Sequence, residues 1–386
     1  MKAYKTQINP SQPQRVKIRK TIGVCRYIYN LYISHNKEVH EKENRFMSAS
    51  EFSKWLNSEY IPKNPDKSWI KEVSSKSVKQ SIRDAETAFK RFFKGLSGFP
   101  NFKKKNNQDV KMYFVKNDKN MVIDCERHKI KIPTLGFVRL KEYGYLPTDT
   151  IIKSGRVSER AGKFYVSVLT NEEPKKLNIE LVNHGIGVDL GLKEFAIISD
   201  GQVFKNINKG SNVKKLEKKL RREQRSLSRK YENKKKRKEK LTKRSANIDK
   251  NVRRVQKLHD ALSRKRQEYA RYVVSVLVKT KPKYITIEDL NISGMMKNRH
   301  LSKAIASQGF YYFRIWLESQ CTKTGIELRV ADRFYPSSKL CSACGDKKPD
   351  LKLSDRVYVC HCGHWLDRDL NAAINLEMCV KYSVVI

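Results

Sequence analysis

The sequence predicts a chain of mixed class, in which an all-β module and a helical module precede an α/β domain. Apolar residues recur at helical spacing over residues 16–97, whereas residues 110–172 alternate in period two between glycines. After residue 181, two apolar strands that carry carboxylates flank a long, charged helical stretch. With 386 residues and a hydrophobic fraction of 39%, the chain is long enough for two or three modules with real cores.

The charge balance is the strongest feature of the composition. The chain has 82 Lys and Arg against 40 Asp and Glu, a formal net charge of +42. Such a charge repels itself in a compact fold unless a polyanion neutralises it, and nucleic acid is the polyanion that it favours. A Lys-rich protein that is merely soluble is the alternative. The excess, however, spans the chain and peaks over 211–270, with 24 Lys and Arg against 7 Asp and Glu.

Apolar runs and cysteines indicate the compartment. We find no run of about 18 apolar residues, and the basic first 20 residues lack an apolar core. Four of the eight cysteines cluster at metal-ligand spacing and the others are scattered, which fits a metal site in a reducing compartment better than a disulfide framework. We therefore expect a cytoplasmic, nucleoid-associated protein with no membrane segment.

The N-terminal part is expected to be helical only after residue 15. Residues 1–15 are polar, and Pro10 and Pro13 predict that no helix forms there. The helical pattern ends at the sequence GFP over 98–100. A basic patch with neighbouring phenylalanines follows, and it contains Lys103, Lys104 and Lys105.

Three acidic residues stand where a cation site is expected. Asp189 lies within an apolar strand, Glu288 ends a second such strand, and Asp369 stands at the start of a helix that Asp367 can cap. A carboxylate in an apolar strand is unfavourable unless it is paired or binds a cation. Singly, each is also explained as a turn or cap residue. Together they suit phosphodiester hydrolysis, in which two Mg²⁺ ions, about 3.5–4 Å apart, activate water and stabilise the leaving oxygen.

Two cysteine pairs, each followed by glycine, predict a zinc ribbon with a structural Zn²⁺ bound by Cys341, Cys344, Cys360 and Cys362. The first pair has the spacing C-x₂-C and the second C-x-C, where C-x₂-C is usual. One thiolate can therefore be replaced by His361 or His364. Four free buried cysteines would not explain the two glycine-followed pairs.

Four motifs occur in an order that resembles the TnpB (OrfB) family of bacterial insertion-sequence transposons, related to type V CRISPR effectors. They are GVDLG over 187–191, IEDL over 287–290, SSKLCSACG over 337–345 and CGHWLDRDLNAA over 362–373. RYIYN over 26–30 and GFPNFK over 98–103 also resemble that family, so the likeness covers nearly the whole chain.

The resemblance implies an RNA-guided DNA endonuclease with an RNase H-like (RuvC) nuclease domain. Its guide is a transposon-encoded RNA (an ωRNA), its target is double-stranded DNA beside a short protein-read motif, and its catalytic residues are Asp189, Glu288 and Asp369. Asp367 is the alternative for the third position, and Asp369 is preferred because it immediately precedes the sequence LNAA that starts the helix. It also implies the domain order, which is a wedge-type β-barrel at 1–15 and 105–180, a helical recognition domain at 16–104, the nuclease at 181–335 and 363–386 with a basic helical insertion at 211–280, and the zinc ribbon at 336–362.

Nucleic acid contacts follow from the same likeness. A protein that holds a guide heteroduplex reads its backbone through positive charge and leaves sequence to base pairing. Lys76 and Gln80 stand four residues apart on one helical face, where they can read the target-adjacent motif in the major groove. A solvent-facing polar pair is the alternative for these two residues.

Three other functions compete with this prediction. A nuclease-dead, RNA-guided repressor would lack one of the three carboxylates, and all three are present. A guide-independent resolvase or transposase would use the same metal chemistry without a bound RNA of defined sequence. A structural RNA-binding protein of ribosomal type would explain the charge and the zinc but not the acidic residues.

Overall fold

The computed structural model describes residues 1–116, 123–173, 177, 179–237, 245–352 and 354–386. The chain divides into two units, Met1–Pro174 and Lys175–Ile386. In the first unit the described elements are, in chain order, β1 Lys2–Asn9, α1 Gln12–Glu43, α2 Ala49–Trp55, a π-helical turn Leu56–Tyr60, α3 Ile61–Lys63, a 3₁₀ helix Pro65–Glu72, α4 Ser75–Phe93, a 3₁₀ helix Lys105–Asn107, β2 Met112–Val115, β3 Asp124–Cys125, β4 Lys129–Ile132, β5 Gly136–Leu140, β6 Ile152–Arg160 and β7 Lys163–Thr170.

Strand β1 joins strands that follow it by more than a hundred residues. The sheet order is β2-β6-β7-β1-β5-β4-β3, and β1 pairs antiparallel with both β7 and β5. The period-two alternation is real, since buried residues alternate with partly exposed ones along the whole of β7. The helices α1 to α4 lie between β1 and β2 in the sequence and pack around a separate core that includes Tyr32 and Phe52.

The prediction that residues 1–15 contain no helix is wrong from residue 12 onwards. Helix α1 begins at Gln12, with Pro13 in its first turn. Proline is tolerated there because the first backbone N–H groups have no partner within the helix. The backbone N–H of Ser11 donates to Gln14 Oε1 over 2.9 Å, which adds a helix-capping contact. The expected boundary between residues 15 and 16 therefore falls inside one continuous helix.

The second unit is built on a mixed sheet. Its described elements are β8 Ile186–Leu190, β9 Glu194–Ile198, β10 Val203–Lys205, a 3₁₀ helix Ile207–Lys209, α5 Ser211–Lys236, α6 Ala246–Lys279, β11 Tyr284–Ile287, α7 Ile292–Met295, α8 Ser302–Gln308, α9 Phe310–Thr324, β12 Glu327–Ala331, a 3₁₀ helix Ser337–Lys339, β13 Val357–Val359, β14 Trp365–Asp367, α10 Arg368–Glu377 and β15 Tyr382–Val384. The sheet order is β10-β9-β8-β11-β12-β15. Strands β8, β11 and β12 run parallel, and β9, β10 and β15 pair antiparallel with their neighbours.

The basic stretch forms two long helices, α5 and α6. They pack on each other through Val213, Leu220, Leu258 and Leu262. Most of their lysines and arginines stay at the surface. No helix in the described ranges is long and apolar enough to cross a membrane.

The C-terminal helix is shorter than the expected span from Leu370 to about Tyr382. Helix α10 ends at Glu377, and the chain then forms β15 at the free edge of β12, with Val384 opposite Arg329. The sequence SVVI at 383–386 is rich in β-branched residues, which favour a pleated strand over a helix.

The hairpin that carries the second cysteine pair continues beyond residue 362. Strands β13 and β14 pair antiparallel, with Val359 opposite Trp365 and Val357 opposite Asp367. Helix α10 begins at the next residue, Arg368. The hairpin therefore leads into α10 without a linker.

Gly187 on β8 is required by the close approach of α10. A Cβ at residue 187 would overlap the carbonyl oxygen of Ala373 and lie 2.5 Å from the backbone nitrogen of Glu377. Because those atoms belong to helix backbone, they cannot move aside as a flexible side chain can.

We expect Gly187→Ala to lower the free energy of unfolding by about 1–3 kcal/mol, the usual effect of overpacking, in a denaturant titration. Gly98→Ala is the control, since no atom lies within 4 Å of its added Cβ. Equal stability of both variants would contradict this packing.

Candidate functional site

Parallel pairing of β8 with β11 brings Asp189 and Glu288 together. Val188 lies opposite Ile287 in the register, so Asp189 and Glu288 stand next to each other, just after β11 ends and one residue before β8 ends. The residues that precede them in both strands are mostly buried. Both carboxylates are partly exposed.

Helix α10 adds the third carboxylate. Asp369 is in its first turn, and the helix packs against β8 at the Gly187 contact. The negative charges of Glu288 and Asp369 both raise the pKa of Asp189, so the three groups lie close enough to interact electrostatically. The structure therefore brings all three sequence-predicted acidic residues to one site.

Burial and mutual repulsion destabilise the ionised forms at this site. Burial is the first cause that raises the pKa of Asp189 well above its ordinary value, and the charges of Glu288 and Asp369 add to it. Burial also raises the pKa of Glu288, against a hydrogen bond from Ser337 that lowers it. Arg368 lies 3.1 Å from Asp369 Oδ1 and offsets part of the negative charge. With three carboxylates against one arginine, the ionised site keeps a net negative charge, which favours a bound cation.

Two neighbouring acidic side chains are engaged elsewhere. Asp289 forms ion pairs with Arg314 at 3.3 Å and Arg333 at 2.6 Å. Asp367 caps α10, since its Oδ1 accepts from the backbone N–H of Asp369 at 2.9 Å and of Leu370 at 3.2 Å. These contacts favour Asp369 over Asp367 as the third member of the site.

The two cysteine pairs converge as the spacing predicts. Their four sulfur atoms all lie within 4.8 Å of one another, with Cys341 3.7 Å from Cys362 and Cys344 3.6 Å from Cys360. Gly345 and Gly363 have φ of 77° and 82°, so the glycine after each pair makes the left-handed turn that lets the thiols meet. Among the described residues, the three carboxylates do not reach this spacing, so they are more widely spread than ligands that enclose one ion.

The thiol set suits a tetrahedral zinc ion. Although burial opposes it, backbone N–H groups and the neighbouring thiols lower the pKa of the Cys341 thiol to about 7, whereas the neighbouring thiols help to raise the pKa of Cys344 and of Cys360. Thiolate is the form that binds zinc. We therefore find a cysteine cluster whose donors and geometry fit zinc.

His361 and His364, which stand on either side of Cys362 in the sequence, lie beside this cluster. His364 Nε2 is 3.0 Å from Ser342 Oγ, which gives that ring nitrogen a partner other than a metal. His361 Nδ1 lies 3.7 Å from the sulfur of Cys360 and 3.3 Å from Asp346 Oδ2. Asp346, Cys360 and His361 also form a compact group of ligand atoms, so His361 is the better placed of the two to replace a thiolate.

Lys76 and Gln80 lie on the first half of α4. Lys76 is exposed, whereas Gln80 is half-buried and its Nε2 donates to Asp84 Oδ1 over 2.8 Å. Asp84 in turn pairs with Arg156 at 3.4 Å. A DNA base could therefore bind the amide of Gln80 only by replacing Asp84 as its hydrogen-bond partner.

The basic patch divides into one anchored lysine and two exposed ones. Lys103 Nζ lies 2.9 Å from Asp109 and 5.1 Å from the ring centre of Tyr29. Lys104 and Lys105 are exposed. The two exposed lysines are therefore better placed than Lys103 to contact a phosphate.

Two contacts at the site have no counterpart in the sequence patterns. Ser337 hydrogen-bonds Glu288 from 49 residues away, and Arg333 pairs with Asp289 from 44 residues away. The available sequence signal was that Ser337 begins the motif SSKLCSACG of the resembled family, whereas Arg333 lies four residues before that motif.

Comparison with protein families gives matches along most of the chain. The OrfB family of IS605 elements, described as "Probable transposase", matches residues 166–299, and the "Cas12f1-like, TNB domain" matches residues 310–376. The model described as "Helix-turn-helix domain" of the same OrfB group matches residues 1–45. In the structure this last stretch contains strand β1 and the whole of the long helix α1.

Individual relatives match over almost the full chain. InsQ of Escherichia coli (strain K12), named as a candidate RNA-guided DNA endonuclease, is 30% identical and covers 97% of this chain and 91% of its own length. A protein of Streptomyces pristinaespiralis with the same type of name is 27% identical over 97% of this chain and 88% of its own. A Cas12f1–sgRNA–target DNA complex shares the fold, with a TM-score of 0.60 at 15% identity over 95% of this chain and 82% of that one. Taken with the OrfB match, the identity to InsQ over nearly both whole chains shows that this chain belongs to the TnpB (OrfB) family of insertion-sequence transposons.

Proposed function

We propose that this protein is an RNA-guided DNA endonuclease of a transposon. The observation that carries the proposal is the meeting of three carboxylates at one sheet edge in a chain with a net charge of +42. The names of the relatives and the fold shared with a Cas12f1–RNA–DNA complex support the same activity. A structural RNA-binding protein would not need the acidic cluster.

The cleavage chemistry is phosphodiester hydrolysis with Mg²⁺. Asp189, Glu288 and Asp369 would hold the ions, because hard carboxylate oxygens are the ligands that Mg²⁺ prefers. Bound there, two ions would supply an activated water and stabilise the leaving oxygen. The raised pKa of Asp189 and of Glu288 supports this, since both groups lack a positive partner strong enough to offset burial.

The finer architecture follows the family. We assign the sheet β10-β9-β8-β11-β12-β15 to an RNase H-like (RuvC) nuclease domain, interrupted by the zinc ribbon. The sheet formed by β1 with β2 to β7 is assigned to the wedge domain at 1–15 and 105–180, and the helices between them to the recognition domain at 16–104. The pairing of β1 with β5 and β7 supports a wedge that is split in sequence.

The partners are a guide RNA from the transposon end (the ωRNA) and double-stranded DNA. Helices α5 and α6 present a dense field of lysines and arginines that suits a phosphate backbone. The exposed Lys104 and Lys105 are further phosphate contacts. Lys76, with Gln80 once its hydrogen bond to Asp84 is exchanged, would read the target-adjacent motif.

The decisive experiment is to purify the protein from cells that carry its native locus and sequence the RNA that comes with it. A discrete RNA that ends at the transposon boundary is expected, and its last segment then defines a DNA target. The complex should cut that target only with a divalent metal. A random mixture of cellular RNA would contradict the guide and favour a guide-independent nuclease with the same acidic site.

Asp189→Ala should abolish cutting of that target and leave RNA and DNA binding unchanged. The carboxylate serves metal binding, whereas the nucleic acid is held by distant lysines and arginines. Cleavage is followed on gels, and binding by filter retention with the same RNA and DNA. Loss of RNA binding in this variant would contradict the separation of the two tasks.

Cys362→Ser should remove the zinc, whereas His364→Ala should keep about one zinc ion per chain. The sulfur of Cys362 lies in the four-thiol cluster, while His364 Nε2 faces Ser342 Oγ. Metal content is measured by mass spectrometry of the purified proteins. His361→Ala tests the alternative ligand in the same way. Zinc retained in Cys362→Ser but lost in either histidine variant would contradict the four-cysteine site.

Asp189→Asn should raise the unfolding temperature at neutral pH in Mg²⁺-free buffer without chelator. Burial and the charges of Glu288 and Asp369 raise the pKa of Asp189 well above 3.8 in the folded chain. A raised carboxyl pKa gives stability that is present below the unfolded value and is lost as pH rises through the folded value. The advantage of Asn should therefore widen as pH rises from about 4 and then level off.

Scanning calorimetry between acidic and neutral pH measures this difference. Asp350→Asn is the control, because that carboxylate is exposed and lies away from the acidic cluster in the sequence. An advantage of Asp189→Asn that stays constant over the whole pH range would contradict the raised pKa.

A further inference from the structure

A serine from a distant part of the chain holds the carboxylate of Glu288. Ser337 Oγ donates to Glu288 Oε1 over 2.6 Å, a length typical of a hydroxyl bonded to an ionised carboxylate. Ser337 is only 3% exposed and begins the 3₁₀ helix Ser337–Lys339. The contact fixes one oxygen of Glu288 and leaves Oε2 for another ligand.

Residues 337–340, which begin with Ser337, are held by two buried asparagines of α10. Asn375 Nδ2 donates to the carbonyl oxygens of Ser337 at 2.8 Å and Leu340 at 2.7 Å. Asn371 Nδ2 donates to the same Leu340 oxygen at 2.6 Å. Asparagine is a poor residue for a helix interior, and a buried amide must find partners. The two amides therefore tie residues 337–340 to one face of α10.

The same helix carries Asp369. Two of the three carboxylates are thus positioned from α10, Asp369 by its place in the first turn and Glu288 through Ser337. The connection also reaches the first cysteine pair, because the backbone N–H of Ser342 donates to Asn371 Oδ1 over 3.0 Å. Cys341 lies between two residues that α10 holds.

We infer that Ser337 is a positioning residue of the nuclease, whose hydroxyl orients the Glu288 carboxylate to bind a divalent cation. Asn375 holds Ser337 from α10, and Asn371 holds the neighbouring Leu340. This inference rests on the proposed function. Groups that orient the ligands of a metal affect its affinity by about 10-fold to 100-fold when they are removed. A serine that merely satisfied its own buried hydroxyl would affect stability and not metal affinity.

The test is Mn²⁺ binding to the full-length chain loaded with its RNA, followed by electron paramagnetic resonance of the free ion. Asp189→Ala loaded with the same RNA gives the background from RNA and surface sites. We expect Ser337→Ala to weaken the Mn²⁺ affinity above that background by about 10-fold or more. Its unfolding temperature should stay close to that of Ser338→Ala, the control at the neighbouring, half-buried serine.

Ser337→Thr, which keeps a hydroxyl, should recover most of the Mn²⁺ affinity. If the added methyl group of threonine prevents folding, the comparison of Ser337→Ala with Ser338→Ala decides the question. Unchanged Mn²⁺ affinity in Ser337→Ala, or an equal loss in Ser338→Ala, would overturn the role of Ser337 while the nuclease assignment stands. Wild-type protein that binds no more Mn²⁺ than Asp189→Ala would instead overturn the proposed metal site, and the role of Ser337 with it.

Discussion

The crowding of three carboxylates at one edge of a sheet is the constraint on which the second unit depends. Parallel pairing of β8 and β11 places Asp189 beside Glu288, and α10 adds Asp369. Burial and repulsion raise the pKa of the first two, so the ionised cluster is unfavourable without a cation. Close packing around the site keeps the three carboxylates from moving apart. Helix α10 lies so close to β8 that only glycine fits at residue 187, and Arg368 pairs with Asp369.

The acidic site has the opposite charge to the rest of the protein. A net charge of +42 attracts phosphates along the whole chain, most strongly at α5 and α6, whereas the acidic edge repels them. A divalent cation bound there would reverse the local sign and let a phosphate approach the carboxylates. In the proposed function, binding and cleavage are therefore separable. The surface lysines and arginines would hold the nucleic acid with or without metal, and the proposed metal site would decide whether it is cut.

The sequence was informative where one local rule decides the position of a side chain. Carboxylates at the ends of parallel strands and cysteines in glycine-followed pairs converge as expected, because backbone pairing and tight turns place them. It was uninformative for Ser337, whose contact with Glu288 depends on how a 3₁₀ turn lies over the sheet edge. The two wrong helix limits have a similar cause. Pro13 suits a first helical turn as well as a break, and only the free edge of β12 turns the last residues into a strand.

Asp367 and Asp369 at the start of α10 have different roles, and the sequence left open which of them belongs to the acidic site. Asp367 lies opposite Val357 in the ribbon hairpin and accepts two backbone N–H groups of the helix that follows. A carboxylate used in this way is fixed by the helix start and has little freedom to reach the sheet edge. Asp369, two residues later, belongs to the first turn, and its charge helps to raise the pKa of Asp189. Because Asp367 both ends the ribbon hairpin and caps α10, a displacement of the ribbon would shift the start of α10. The cysteine cluster, the asparagines that hold residues 337–340 and the proposed catalytic carboxylate are therefore all positioned relative to α10.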